Sequence, residues 1–349
     1  MDTASLRKFI EREVGQIRHY ITYLKYVDDL VKIPVSRNTP RELRRLKIHH
    51  ETKYSDRKVF EYKAIIISLY GLLERYIEIW IKDYLDAIAN LVSYNELDEK
   101  IRESHFELST KLISMLIEDK WGKYDFLSKE GVLKNLHNCT ENQPNYKLNA
   151  EAFTIQSGNL KHNRITLIFD NLNIKLNEKL IKNEALNQIT GIDKKRIKNT
   201  NKDILYAKIN DIVDRRNDIA HGTEIDNLLG SSELISYIDF LEKYCQAIFD
   251  VLMQEYLRLE SKHKFQQVEV VHKVLQRSIV AFEIEQYAIN QGDMLIVETA
   301  DGSFYKKEIL ELQKDNEKYL TLSITSKEDI AVRVKPPINE NCTFYIQKK

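Results

Sequence analysis

Glycine occurs only ten times in these 349 residues and proline only five. So few breakers exclude a loop-rich or collagen-like chain. Pro34, Pro40, Pro144, Pro336 and Pro337 all lie outside the apolar-periodic stretches, which leaves those stretches free to be helical. The three cysteines, Cys139, Cys245 and Cys342, are odd in number, far apart and in no CxxC pair. That argues against a disulfide framework and against a zinc site, and fits a reducing cytoplasm. Neither sign of charge is in excess: 53 Lys plus Arg balance 53 Asp plus Glu. No global positive field points to nucleic acid, so any RNA or DNA site has to rest on a local patch. Long apolar runs are missing too. The most apolar, IIISLYGLL at 65–73, is bounded by Lys63 and by Glu74 and Arg75 and is roughly half the length needed to span a bilayer, so a buried helix is expected there. The opening MDTASLRKFIEREVGQ is charged throughout and has no apolar signal-peptide core, so secretion is not expected. GxxxxGK[ST], GxGxxG and GxSxG do not occur, which argues against a P-loop ATPase, a dinucleotide fold and an ordinary serine hydrolase. Eight of the nine histidines, His49 and His50 among them, show no HExxH, no one-face HxxxH and no Cys partner. They are read as surface or core-edge residues, and neither a metal nor a cofactor is expected.

What is present is a globular composition, 43% hydrophobic and 30% charged, on a chain longer than one average domain. Apolar periodicity predicts helices at 3–32, 57–92, 96–119, 159–171, 201–220 and 231–263, with a polar, poorly patterned segment at 135–155. The second is apolar on most of its circumference (Phe60, Ile65, Ile66, Leu69, Leu72, Leu73, Tyr76, Ile77, Trp80, Tyr84) and should be the central member of a bundle. After about residue 267 the period becomes two. Leu320, Leu322 and Ile324 alternate with polar residues in YLTLSIT, Asp301-Gly302 suits a tight hairpin, and DIAVRV and CTFYIQ follow. The expected fold is mainly α: a helical bundle with a small antiparallel β-rich C-terminal domain of five or six short strands, barrel-like or sandwich-like. The division expected is an N-terminal helical extension at 1–56, a helical domain at 57–266 and the β-rich domain at 267–349.

One stretch combines charge with burial. DRRNDIAHG at 214–222 closes a helix that should open near TNKD, with a capping box of Thr200 and Asp203, and stop at Gly222. The apolar row Leu205, Ile209, Ile212 runs into Arg216, and the neighbouring row Ile209, Val213 runs into Asn217, Ala220 and His221. Arg216, Asn217 and His221 should therefore face another helix or another subunit. Such groups are costly on a buried face unless paired or beside solvent, so a cleft is the economical explanation. The alternative is purely structural, because an Arg or His in the last helical turn gains about 0.3–1 kcal/mol from the helix dipole.

R-N-D-I-A-H-G at 216–222 resembles the R-x4-6-H signature of HEPN (higher eukaryotes and prokaryotes nucleotide-binding) domains, with four residues between Arg216 and His221. Two further stretches, SLYGLLERYIEIW at 68–80 and SGNLKHNRITLIFDNLNI at 157–174, resemble a bacterial HEPN-like nuclease subfamily, and the three blocks come in the matching order. The resemblance covers about residues 57–262 and does not speak for the strand-rich C-terminus. It implies a HEPN-type helical bundle and, in active members, metal-independent RNA cleavage, in bacteria as part of toxin–antitoxin or anti-phage systems with an antitoxin or activator protein. It also implies a homodimer in which two Arg-His motifs form a composite site. The residue types suit that chemistry: an imidazole moves protons near neutral pH, and a guanidinium grips a phosphate and neutralises charge that grows on it. His221 is the candidate general acid or base, Arg216 the phosphate clamp and Asn217 an orienting group. Glu74 is an auxiliary candidate, able to pair with Arg216, to orient His221 or simply to form a surface ion pair with a lysine. Arg215 is either a second phosphate contact or a solvated helix-end arginine, and Asp218 is expected to face water. The alternative function is a non-catalytic HEPN module for nucleotide binding or protein interaction. The basic runs RELRRLKIHH at 41–50 and DKKRIKNTNK at 193–202 are read as solvated faces or as phosphate contacts, and Phe304, Tyr305, Phe344 and Tyr345 as strand core or base-stacking groups.

Overall fold

A computed structural model describes residues 3–118, 124–155, 159–190, 202–223 and 227–348. The chain divides into two compact units, one of Met1–Leu85, Asp98–Cys139 and Lys147–Val251, the other of Asp86–Leu97, Thr140–Tyr146 and Leu252–Lys349. Its helices, in order, are α1 (Thr3–Lys32), α2 (Arg41–Thr52), α3 (Tyr54–Ala89), α4 (Glu99–Ile117), α5 (Lys129–Thr140), α6 (Ala150–Thr154), α7 (His162–Asp170), α8 (Leu176–Leu180), α9 (Glu184–Thr190), α10 (Lys202–Leu205), α11 (Ala207–Ala220) and α12 (Ser231–Lys264). The mainly α architecture with a strand-rich C-terminus is the one the periodicity predicts. None of the described helices is long and apolar enough to cross a membrane.

The first unit is helical and α3 is its spine. Ile65, Ile66, Leu69, Leu73, Tyr76, Ile77, Trp80 and Tyr84 are all buried. At roughly 1.5–3 kcal/mol per large apolar side chain removed from water, this one helix supplies much of the burial that holds the unit together. Trp80 stacks on Tyr76 at 5.3 Å and meets Phe249 of α12 at 5.6 Å. Phe60, expected in the same stripe, is instead 71% exposed, because it lies in the first turns of α3 and off the buried face.

Three helical features depart from expectation. The basic run at 41–50 forms α2, where Arg44 donates to the carbonyls of Ser36, Arg37 and Thr39 and His50 is buried against Asp28 at 3.0 Å. The segment at 135–155 holds the end of α5 and all of α6; α5 buries only Val132 and Cys139, too few to leave a readable stripe. The helix expected at 201–220 breaks at Tyr206 (φ −112°, ψ 18°), whose fully buried ring lies on His162 with centroids 3.5 Å apart. Thr200, and the run at 193–202 except Lys202, lie outside the described residues, and so does the capping box placed there.

His50, His105 and His162 are buried rather than at the surface or core edge. Each is satisfied by polar partners that sequence spacing does not reveal. His105 accepts the Asn149 N–H at 3.0 Å, and burial pushes its imidazole down to about 4, so it stays neutral. Burial alone would raise the Asp28 carboxyl, but hydrogen bonds from Lys58, His50 and Arg57 outweigh it and hold that group well below the ordinary range.

The second unit is built on strands β1 (Phe265–Gln267), β2 (Val270–Leu275), β3 (Ile279–Ile284), β4 (Tyr287–Asn290), β5 (Met294–Glu298), β6 (Phe304–Lys314), β7 (Glu317–Tyr319), β8 (Thr321–Ile324), β9 (Glu328–Val334) and β10 (Thr343–Gln347). The order is β1-β10-β5-β6-β9-β3-β2, all antiparallel, with β7 beside β6 and a separate β4-β8 pair. β1 and β2 end the order yet are joined by only Val268 and Glu269, so one bent stretch of chain links the two edges of a sheet that curls, barrel-like, around a single core. Val280, Phe282, Leu295, Val297, Ile309, Leu312, Val332 and Phe344 fill it. The β5–β6 hairpin turns at Asp301-Gly302 as expected, Gly302 at φ +78°. More strands form than expected because several are only three or four residues long. Leu320 is 76% exposed between β7 and β8 rather than in register with Leu322 and Ile324.

Candidate active site

α11 carries DRRNDIAHG. Ile209, Ile212 and Val213 are fully buried and hold the helix in the unit. Its end is a Schellman stop. Gly222, at φ +70°, donates to the Ile219 carbonyl at 3.2 Å, and Thr223 donates to that of Asp218 at 2.9 Å. The C-cap residue is His221.

The buried rows fade towards that end. Arg216 and Asn217 are half-buried, and Ala220 and His221 are exposed. The Arg216 guanidinium lies over the ring of Tyr70, 4.5 Å from its centroid, and donates to Asn217 Oδ1 at 3.2 Å. Tyr70 is buried on α3. Among the described residues no carboxylate pairs with Arg216, and the exposed His221 ring has no hydrogen-bond partner. Arg216 thus faces another helix, as its row predicts, whereas His221 faces solvent. Glu74 is half-buried one turn along α3 from Tyr70, on the same side of that helix; no ion pair joins it to Arg216. Asp218 is exposed, as expected.

Arg215 is neither solvated nor open. It pairs with Asp211 at 2.5 Å and donates to Tyr62 Oη at 2.8 Å and to the Asn227 carbonyl at 3.0 Å. Burial works against its charge, but the Asp211 and Tyr62 hydrogen bonds prevail and its pKa is raised. Asp211 also accepts from Tyr237 of α12 at 2.7 Å, and burial together with that bond pushes the Tyr237 phenol up to about 12. The Asp211–Arg215 spacing of four residues was a readable helix pair; Tyr62 and Tyr237, remote in sequence, were not.

Behind α11 lies a saturated polar node. The His162 backbone N–H donates to Asn210 Oδ1 of α11 at 3.0 Å. Asn177 Oδ1, 2.7 Å from His162 Nε2, can only accept, so Nε2 carries the proton and Nδ1 accepts from Tyr244 Oη at 2.7 Å. Lys161 pairs with Asp214 at 2.6 Å. Lys161 and the block HNRITLIFD after it thus anchor α11 through Asp214 and Asn210. Among the described residues no cluster of three or more His, Cys, Asp or Glu could hold a metal ion.

In comparison with known proteins, the profile of the family described as RiboL-PSP-HEPN matches residues 38–254, more than half of the chain. The matched segment contains Tyr70, Glu74, the α7 block and DRRNDIAHG. No curated protein matches the chain.

Proposed function

The chain belongs to the RiboL-PSP-HEPN family, and from that premise we propose that it is a metal-independent endoribonuclease with its site at the end of α11. One observation carries this reading: a half-buried guanidinium with no acid partner among the described residues, held on an aromatic face, shares its helix end with an exposed imidazole. Leaving a cation partly desolvated and unpaired is costly unless an anion is to meet it. A phosphodiester supplies that anion.

In the reaction, a base removes the proton from a ribose 2′-hydroxyl and O2′ attacks phosphorus. The P–O5′ bond breaks, and a proton passes to the departing O5′. The products are a 2′,3′-cyclic phosphate and a 5′-hydroxyl. His221 is the general acid or base, Arg216 neutralises charge on the phosphoryl oxygens, and Asn217 orients the guanidinium. Glu74, one turn along α3 from the Tyr70 that carries the guanidinium, is the auxiliary candidate to tune that pair, whereas Arg215 serves the scaffold. The step needs two proton-transfer groups and each chain offers one such histidine, which favours a homodimer with a site composed from two copies. A cytoplasmic growth-arrest role, in toxin–antitoxin or anti-phage defence with an antitoxin or activator protein holding the enzyme in check, is the setting in which such an RNA-cleaving activity makes sense.

The test is cleavage of mixed cellular RNA by the purified chain in excess EDTA, beside Arg216→Ala and His221→Ala. Cleavage by the parent alone, leaving cyclic phosphate ends, supports the assignment; equal cleavage by all three rejects it. A second reading, a non-catalytic nucleotide-binding or protein-interaction module, draws on the C-cap position of His221, where the helix dipole favours a cation whatever the function. It requires both substitutions to lower stability.

A further inference from the structure

In the barrel, Tyr305, Lys307 and Ile309 share one face of β6 by strand alternation. Ile309 belongs to the barrel core, and in register with β5 Tyr305 and Lys307 stand opposite the core residues Val297 and Leu295. Apolar side chains would normally continue such a row. Here the row ends in a tyrosine that is 48% exposed and a half-buried lysine, with Lys307 Nζ 5.8 Å from the Tyr305 ring centroid. Lys335 follows Val334, the register partner of Ile309, just past the end of β9, near enough for its charge to act on Lys307.

Several other cations of the barrel are matched, although among the described residues Lys273 and Arg277 are not. Lys306, Lys314, Lys318, Lys327 and Arg333 each meet a carboxylate. Among the described residues neither Lys307 nor Lys335 forms an ion pair, with the nearby Glu308 or with any other carboxylate. Burial first, and the neighbouring Lys335 second, press the Lys307 ammonium towards its neutral form. Both strains are relieved by an anion. Two uncompensated ammoniums beside an exposed aromatic ring match the repeating chemistry of a single nucleic-acid strand, phosphate beside a flat base.

We propose that Tyr305, Lys307 and Lys335 form a binding surface for single-stranded RNA at this end of the barrel, Tyr305 stacking on a base and the two lysines contacting the flanking phosphates. The surface extends the nuclease reading by naming a second place where the same class of substrate is held, and it is tested separately. Binding of a labelled mixed-sequence 12-nucleotide single-stranded RNA to the full chain, made uncleavable by His221→Ala, is followed by anisotropy across a salt series.

Tyr305→Ala should weaken binding at least about fivefold, the loss of one base stack. Lys307→Gln and Lys335→Gln should each flatten the slope of log Kd against log salt by about 0.7, one phosphate contact apiece. Melting curves unchanged from the parent exclude unfolding as the cause. Affinity and slope unchanged in all three variants overturn the proposal, as does a parent chain that binds no RNA. Binding of phosphatidylserine vesicles, abolished by these substitutions while RNA is ignored, overturns it in favour of a lipid headgroup. Should the parent fail to cleave RNA while the three substitutions still weaken binding, the nuclease reading falls and this surface stands. His221-dependent cleavage with unaltered binding by the three variants means the reverse.

Discussion

The two ends of α11 treat polar side chains in opposite ways. Towards its start and middle every polar group meets a protein partner: Asn210 takes the His162 N–H, and Asp211 takes both Arg215 and Tyr237. At its end Arg216 has, among the described residues, only a neighbouring amide and an aromatic face, and His221 is exposed. Arg215 and Arg216 are adjacent and chemically identical, yet one is consumed by the scaffold and the other is left over. Saturation marks what holds the helix, and its lack marks where a ligand fits.

The largest expected effect would break this comparison outright. His221→Ala and Arg216→Ala should each lower RNA cleavage about 10²–10⁴-fold, the usual share of a general acid–base or charge-stabilising group. Because neither side chain is saturated by the protein, stability should stay within about 0.5 kcal/mol of the parent. Denaturant midpoints decide: if either variant unfolds substantially earlier, the unsaturated end is structural after all.

Two histidines sharpen the contrast. His105 is enclosed and held neutral, with its pKa pushed down to about 4 by burial. Between that value and the ordinary 6.5 the unfolded chain takes up a proton that the folded chain refuses. Stability should therefore fall as pH drops from about 6.5 to about 4, by about 3 kcal/mol if this group acts alone. Asp28, whose folded pKa is depressed, retains its contribution through this window and loses it only at lower pH. Urea unfolding at a series of pH values reads the slope, and His105→Gln should flatten it. His221→Ala, measured beside it, compares an exposed position with this enclosed one.

Arg215→Ala tests the saturated side. Removing the guanidinium takes the ion pair from Asp211, leaving it only Tyr237, and strips Tyr62 of a hydrogen bond, which should cost about 2 kcal/mol. Cleavage per folded molecule should persist. A variant that is stable yet inactive would move Arg215 into the catalytic machinery and dissolve the distinction from Arg216.

Much of the fold was legible in the sequence because it follows from periodicity. The α3 stripe, the switch to period two and the Asp301-Gly302 hairpin each rest on local patterns. α2 and α5 were hidden because their stability comes from a few tertiary contacts, His50 on Asp28 and Cys139 in the core, rather than from an apolar stripe. At the site, the apolar rows that run into Arg216 foretold its half-burial, and Gly222 foretold the stop. The exposure of His221 runs against its row, and the bonds from Arg215 to Tyr62, from Tyr237 to Asp211 and from Tyr244 to His162 join residues 26 or more positions apart, a distance at which spacing carries no information.

The smallest expected effect concerns the residue that separates Arg216 from an ordinary surface arginine. The Tyr70 ring is the one aromatic face recorded under the guanidinium among the described residues, and it holds the cation in place without neutralising it, as a carboxylate would. If that is its role, Tyr70→Leu should lower kcat/KM by an amount set by a partly desolvated cation–π contact, about 0.5–2 kcal/mol, with most of the change in KM because a loosened clamp binds phosphate less well. Tyr70→Phe keeps the ring and should keep the activity. Tyr70 is also buried, so the leucine variant will lose some stability; a purely structural effect would reduce the amount of folded enzyme without raising KM. Equal loss in the phenylalanine and leucine variants would shift the role from the ring to the hydroxyl, and Arg216 would then owe its position to something other than the aromatic face beneath it.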